Sequence, residues 1–121
     1  MRRLASLILA AAIVAACGGE PAALIEDETE LGEADYAYVI PPGAGEALDQ
    51  GRPLEILPGE MTVAVGEVIE IVNDDDRGHL VGPFFVGAGE TLRQRFASPG
   101  EFIGVCTVHP SGELRLEIVG P

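Results

Sequence analysis

The chain predicts an all-β fold, a sandwich of about seven to eight short strands, on three observations. From Tyr36 onward apolar residues alternate with polar ones or gather in short groups, and no stretch sustains a helical period. Gly and Pro, 16 and 9 of the 121 residues, stand at nearly every boundary between those groups. Apolar residues still make up 47% of the chain, which is enough for a core and too much for a disordered segment. The length is that of one domain.

Taken in order, strands are expected over Tyr36 to Ile40, Leu54 to Leu57, Met61 to Val65, Val68 to Asn73, Leu80 to Val86, Glu90 to Ala97, Glu101 to Val105 and Glu113 to Val119. The first is aromatic and β-branched and stops at Pro41-Pro42-Gly43. Pro41 to Asp49 reads as an irregular connection, with a helical turn around Gly45 to Leu48 as the alternative. Pro58-Gly59 closes the second strand, Val65-Gly66-Glu67 turns the third into the fourth, and Asp74 to Gly78 leads to the fifth. Gly87-Ala88-Gly89 and Ser98-Pro99-Gly100 supply the next two reversals. In the last strand Leu114, Leu116 and Ile118 alternate with Glu113, Arg115 and Glu117, so the leucines should face the core and Glu113 should face out.

The N-terminus reads differently. Arg2-Arg3, an apolar run from Leu4 to Val14 and Ala15-Ala16-Cys17 make residues 1–16 a signal peptide, with a run too short to span a bilayer as a permanent helix. The ending Val14-Ala15-Ala16-Cys17 resembles a bacterial lipobox, which implies a lipid on Cys17 and a protein anchored to the outer face of a bacterial cell membrane or held in the periplasm. An ordinary secretory signal with an incidental Cys17 is the alternative. Removal of the first sixteen residues, with their two arginines, takes the formal charge from −13 to −15. Seven acids between Glu20 and Asp35 make residues 17–35 a self-repelling, flexible tether. Residues 36–121 are then the folded domain.

Composition excludes several functions. All seven basic residues are arginines and the balance is strongly acidic, which argues against nucleic acid and anionic membrane surfaces as partners. Two histidines exclude a site that needs many imidazoles. No Ser-His-Asp order, paired-carboxylate constellation or phosphate loop is present, so the chain is not read as an enzyme.

The chemistry concentrates in three residues. Cys106-Thr107-Val108-His109-Pro110 follows the seventh strand, and His79 lies 27 residues before the cysteine. One thiolate and two imidazoles form the ligand set of a trigonal copper site. Each residue also has a plainer reading: Cys106 as a small buried hydrophobe, each histidine as a hydrogen-bonded one. Zinc held by the same three side chains and water is a further alternative, without a carboxylate placed to act as base. A Cys17 to Cys106 disulfide is rejected, because the lipid would occupy the Cys17 sulfur. Asp74-Asp75-Asp76 reads as a solvated turn in preference to a calcium site. Phe84 and Phe85 read as core plus one exposed edge; a shield over the site or a docking patch is the functional alternative.

The surroundings of these residues resemble the cupredoxins, the plastocyanin and amicyanin family of small blue copper proteins. Met61-Thr-Val-Ala-Val-Gly-Glu-Val-Ile-Glu-Ile-Val-Asn73 resembles the strand, Gly turn, strand and Asn that precede the family's first copper histidine, here His79. Gly89-Glu90-Thr91 and Ser98-Pro-Gly-Glu-Phe102 resemble the segments leading to the cysteine strand, and Cys106-Thr107-Val108-His109-Pro110 resembles the amicyanin-like ligand loop. The resemblance covers Leu54 to Val119. It implies a Greek-key β-sandwich, one copper ion cycling between Cu(I) and Cu(II), His79, Cys106 and His109 as ligands, and Asn73 steadying the two ligand loops. It also implies single-electron transport, with His109 at the edge where electrons enter.

The family's axial methionine is missing. The two family spacings place it at Gly112 or at Leu114, and neither is a thioether; with Glu113 these form the candidate axial region. A site sealed by Leu114 would be three-coordinate and favour Cu(I), whereas a gap at Gly112 would admit water or Glu113. The sealed site is the preferred expectation. The reading is therefore a monomeric, exported, membrane-anchored copper protein that carries electrons to or from a partner with a basic docking face. The alternative is a copper storage, sensing or delivery module exchanging metal with such a partner. A relative whose metal is lost or replaced and a non-metal scaffold domain complete the set.

Overall fold

The computed structural model describes residues 31–120. The alternation in Glu113–Val119 (β8) acts as expected: Leu114, Leu116 and Ile118 are buried, while Glu113, Arg115 and Glu117 face solvent. This strand is the centre of a three-stranded sheet, parallel to Glu60–Ala64 (β2) and antiparallel to Gly100–Val105 (β7). In register, Met61 and Phe102 lie on either side of Leu116, and Val63 lies beside Ile118. Lateral contact between apolar side chains thus runs across all three strands.

The second sheet pairs Tyr36–Ile40 (β1) parallel with Val68–Asn73 (β3), and β3 antiparallel with Thr91–Arg95 (β6). Ile40, Ile69 and Ile71 from this sheet join Met61, Val63, Leu114, Leu116 and Ile118 from the first in one buried cluster, so the two inner faces close on each other. The tilted rings of Phe84, Phe96 and Phe102 pack in sequence, with centroids 6.2 and 6.1 Å apart. Among the described residues the architecture is an all-β sandwich of eight strands, as the sequence predicts.

Three segments differ in detail. The single strand expected over Leu80 to Val86 is a hairpin of His79–Val81 (β4) and Phe84–Val86 (β5), because Gly82, at φ 58°, and Pro83 reverse the chain between them. Val81 then bridges Cys106, which sets β4 beside the end of β7. Leu54 to Leu57 is not a strand: Pro53 and Pro58 bracket it, and only the Ile56 amide reaches across, to the Val108 carbonyl. Ala44–Asp49 (α1) is a short helix, the alternative to the irregular connection expected first there, since a distant carboxylate, that of Asp75, accepts the Gly43 and Gly45 amides.

The last residues of the expected tether are held against the domain. Leu31 is buried, the Asp35 amide and carboxylate bond the Val68 carbonyl and amide, and the Arg93 guanidinium donates to the Gly32 carbonyl. The signal peptide, Cys17 and the tether up to residue 30 lie outside the described residues. Among the described residues no helix is long and apolar enough to cross a membrane.

Candidate metal centre

His79 opens β4 with its side chain pointing inward, buried to 2% exposure. Its Nε2 lies 2.8 Å from Asp75 Oδ2 and its Nδ1 lies 3.1 Å from the Thr107 hydroxyl. A carboxylate only accepts, so the neutral imidazole donates from Nε2 and carries its lone pair on Nδ1. Asp75 is itself fixed from α1: Oδ1 accepts the Gly43 amide at 3.0 Å and Oδ2 the Gly45 amide at 2.8 Å. Burial alone would push the Asp75 carboxyl up; the bonds from His79 and from the Gly45, Asp76 and Gly43 amides outweigh it and hold the group well below the usual carboxylate range. The solvated-turn reading of the three aspartates is corrected here for Asp75, which is buried. Its burial comes from contacts some thirty residues away, which a run of acids does not announce.

The same loop grips α1 at its other end. Arg77 Nη1 and Nη2 donate to the two Asp49 oxygens at 3.1 and 3.0 Å. Asn73, fully buried, donates from Nδ2 to the Arg77, Val86 and Gly87 carbonyls and accepts the Asp75 amide on Oδ1. Its bonds therefore steady the loop that carries His79 and the end of β5.

Cys106 directly follows β7 and is fully buried. Burial pushes its thiol up, and a hydrogen bond from the Val108 amide pulls the other way. Backbone bonds shape the following turn: the Cys106 amide donates to the Gly112 carbonyl, the Gly112 amide to the His109 carbonyl and the Thr107 amide to the Leu80 carbonyl. Gly112 takes φ 77°, a left-handed conformation suited to glycine. His109 is half-buried, and a Cβ on Gly59 would stand 3.1 Å from its Cε1. The Ser111 amide donates to His109 Nδ1 at 3.0 Å, so this imidazole also carries its lone pair on Nδ1, with Nε2 4.0 Å from Glu55 Oε2. His109 and Pro110 also line an open cleft with Leu48, Arg52 and Leu54.

The structure thus brings His79 against the residue that follows Cys106, and places Cys106 and His109 in one tight turn. The side chains do not converge: among the described residues no group of three or more His, Cys, Asp and Glu is gathered closely enough to hold a metal ion. The donor chemistry nevertheless fits a soft metal. It offers one buried sulfur with an amide bonded to it and two imidazoles whose lone pairs are both on Nδ1, where the Thr107 hydroxyl and the Ser111 amide stand against them. In the candidate axial region Leu114 is in the core, while Gly112 and Glu113 are exposed. Sequence reasoning missed Asp75; its one local signal is a position four residues before a histidine.

No protein-family model matches the chain, and no curated protein matches it. Among solved structures it is similar to a purple cupredoxin from Nitrosopumilus maritimus, at 20% identity over 69% of this chain and 99% of that one, with a TM-score of 0.44. It is similar to amicyanin from Paracoccus versutus at 16% identity over 72% of this chain and 82% of that one, TM-score 0.43. A copper-containing nitrite reductase from Thermus scotoductus is similar at 22% identity over 71% of this chain and 22% of that one, TM-score 0.43.

Proposed function

We propose that the chain is an exported, lipid-anchored copper protein that carries single electrons, with His79, Cys106 and His109 holding the metal. The reading rests on this chain's own residues, and one observation carries it: a buried imidazole, His79, pinned through Nε2 by a buried carboxylate with its lone pair left on Nδ1, next to the turn that holds a buried thiol. Such an arrangement fixes ring orientation and tautomer before any ligand arrives. Copper, when bound, supplies a one-electron couple between Cu(I) and Cu(II).

The residues divide the remaining work. Cys106 supplies the thiolate, and the Val108 amide bonded to its sulfur draws charge from it. Asp75 orients His79, and α1 orients Asp75. His109, half-buried beside an open cleft, is the member of the set nearest solvent and forms the edge for electron exchange. Leu114, buried and without a donor atom, would leave His79, Cys106 and His109 as the side chains that hold copper.

The second reading, copper storage or delivery, is favoured by one fact: the three donors are not gathered in advance, and the Ser111 amide engages the His109 Nδ1 lone pair. Titration with Cu(II), followed by visible absorption and electron paramagnetic resonance beside Cys106→Ser, tests the copper site. An intense thiolate-to-copper band with narrow hyperfine splitting, absent in the variant, is expected for the carrier. A weak band with wide splitting, and exchange of Cu(I) to a partner on mixing, would move the assignment to delivery. No stoichiometric copper in either oxidation state would remove both.

A further inference from the structure

Among the described residues Asp75 is the one carboxyl that the fold buries. Its oxygens meet donors: Oδ1 the Gly43 amide at 3.0 Å, Oδ2 the Gly45 amide and His79 Nε2 at 2.8 Å each, with the Asp76 amide bonded as well. Among the described residues no acceptor is bonded there to receive a carboxyl proton, so the geometry requires a carboxylate. No guanidinium is paired with it either. Arg77, two residues on, gives both Nη groups to Asp49 at the surface. Amides satisfy the Asp75 oxygens without cancelling their charge, so a full negative charge remains in the interior.

That charge stands at one edge of the His79 ring, against Nε2, and the lone pair that would take a metal is on the other nitrogen, Nδ1. Cys106 is buried too, and it gives up its proton when it holds a metal. The interior then contains two negative charges, the Asp75 carboxylate and the Cys106 thiolate. Cu(II) balances them, whereas Cu(I) leaves one charge over. An uncompensated charge in a buried place is costly, and the buried neighbours Asn73, Val108 and Leu114 carry none to offset it. Leu114 acts in the opposite sense, because a site without a fourth donor favours Cu(I).

We propose that Asp75, beyond orienting His79, sets the oxidation-state preference of the site: its buried charge favours Cu(II) and offsets the preference for Cu(I) that Leu114 gives. The proposal rests on the copper reading and makes Asp75 a positioning residue that acts through the His79 ring. The start of α1 makes the charge tenable, since the Gly43 and Gly45 amides are two of the four donors that replace water around it. A segment more than thirty residues before His79 thus takes part in deciding how readily the metal accepts an electron. Removing the charge while keeping the shape should move the balance towards Cu(I).

The test measures the Cu(I) and Cu(II) dissociation constants of the full chain by chelator competition, for the wild type, Asp75→Asn and Asp75→Glu. A residue that only shapes the site weakens both oxidation states alike when it is altered, whereas a charge changes their ratio. In Asp75→Asn the ratio of affinities is expected to move towards Cu(I) by about tenfold, equivalent to a rise of about 59 mV for one electron. Asp75→Glu keeps the charge and should keep the wild-type ratio. In the metal-free wild type, ¹⁵N spectra of the imidazole should show His79 protonated on Nε2. Equal losses of both affinities in Asp75→Asn, a ratio in Asp75→Glu that moves towards Cu(I) by tenfold, or a His79 protonated on Nδ1 would each overturn the proposal. The thiolate-to-copper band separates the two ideas: its absence from the wild type removes the copper reading itself, and a normal band with an unchanged ratio removes only the role of Asp75.

Discussion

The two histidines are held in opposite ways. His79 is buried and its partners come from afar: Thr107 is 28 residues on, and Asp75 is anchored by amides 30 and 32 residues away. His109 is half-buried, and the residue bonded to its Nδ1, Ser111, is two positions along the chain. One imidazole is oriented by the whole fold and the other by its own turn. The difference assigns them separate mechanical roles, since long-range contacts hold a side chain as firmly as the core they belong to, whereas a local turn can open without unfolding anything else.

The contrast breaks first at Asp75. Asp75→Ala leaves the Gly43 and Gly45 amides and His79 Nε2 without their acceptor in a buried place, and a loss of about 3 kcal/mol in urea unfolding is expected. A cost below about 1 kcal/mol would mean that His79 is no more firmly held than His109. The pH dependence follows from the lowered Asp75 carboxyl. Its stabilisation is fully present above its unfolded value of about 4 and is lost as pH falls from there towards the lower folded value. The stability gap between the wild type and Asp75→Asn should therefore narrow below pH about 4.

How far each loop was legible in the sequence follows the same division. The Cys106 to His109 loop and the alternation of β8 are local patterns, and the chain forms them where they are read. Leu54 to Leu57 has the apolar look of a strand, but a strand needs a neighbour, and the flanking prolines deny it one. Asp75 is the reverse case, a residue that reads as solvated until α1 is brought over it from another part of the chain. The direction of His109 Nδ1 towards the Ser111 amide depends on side-chain rotation, which residue spacing does not encode.

Within the Cys106 turn the backbone matters more than the side chains. Gly112→Ala is expected to destabilise by about 1–2 kcal/mol, because φ is 77° there while nothing lies within 4 Å of the added carbon. The loss is purely conformational. A neutral outcome in urea unfolding would show that the turn adapts, and that the Cys106 amide bond to the Gly112 carbonyl is dispensable.

Ser111→Ala should have the smallest effect. The hydroxyl lies 2.8 Å from His109 Nδ1 and bonds the Glu113 amide and carbonyl at 3.2 Å each, all at an exposed place where water can substitute. The Ser111 amide still reaches Nδ1 in the variant, so stability should change by about 0.5 kcal/mol or less. Imidazole motion is the sensitive readout. Side-chain NMR relaxation at His109 should report faster motion in Ser111→Ala, while His79 in the same sample stays as rigid as in the wild type. If His79 loosens as well, the two loops are mechanically coupled through the Leu80 to Thr107 bond. The division between a fold-held and a turn-held histidine would then be wrong.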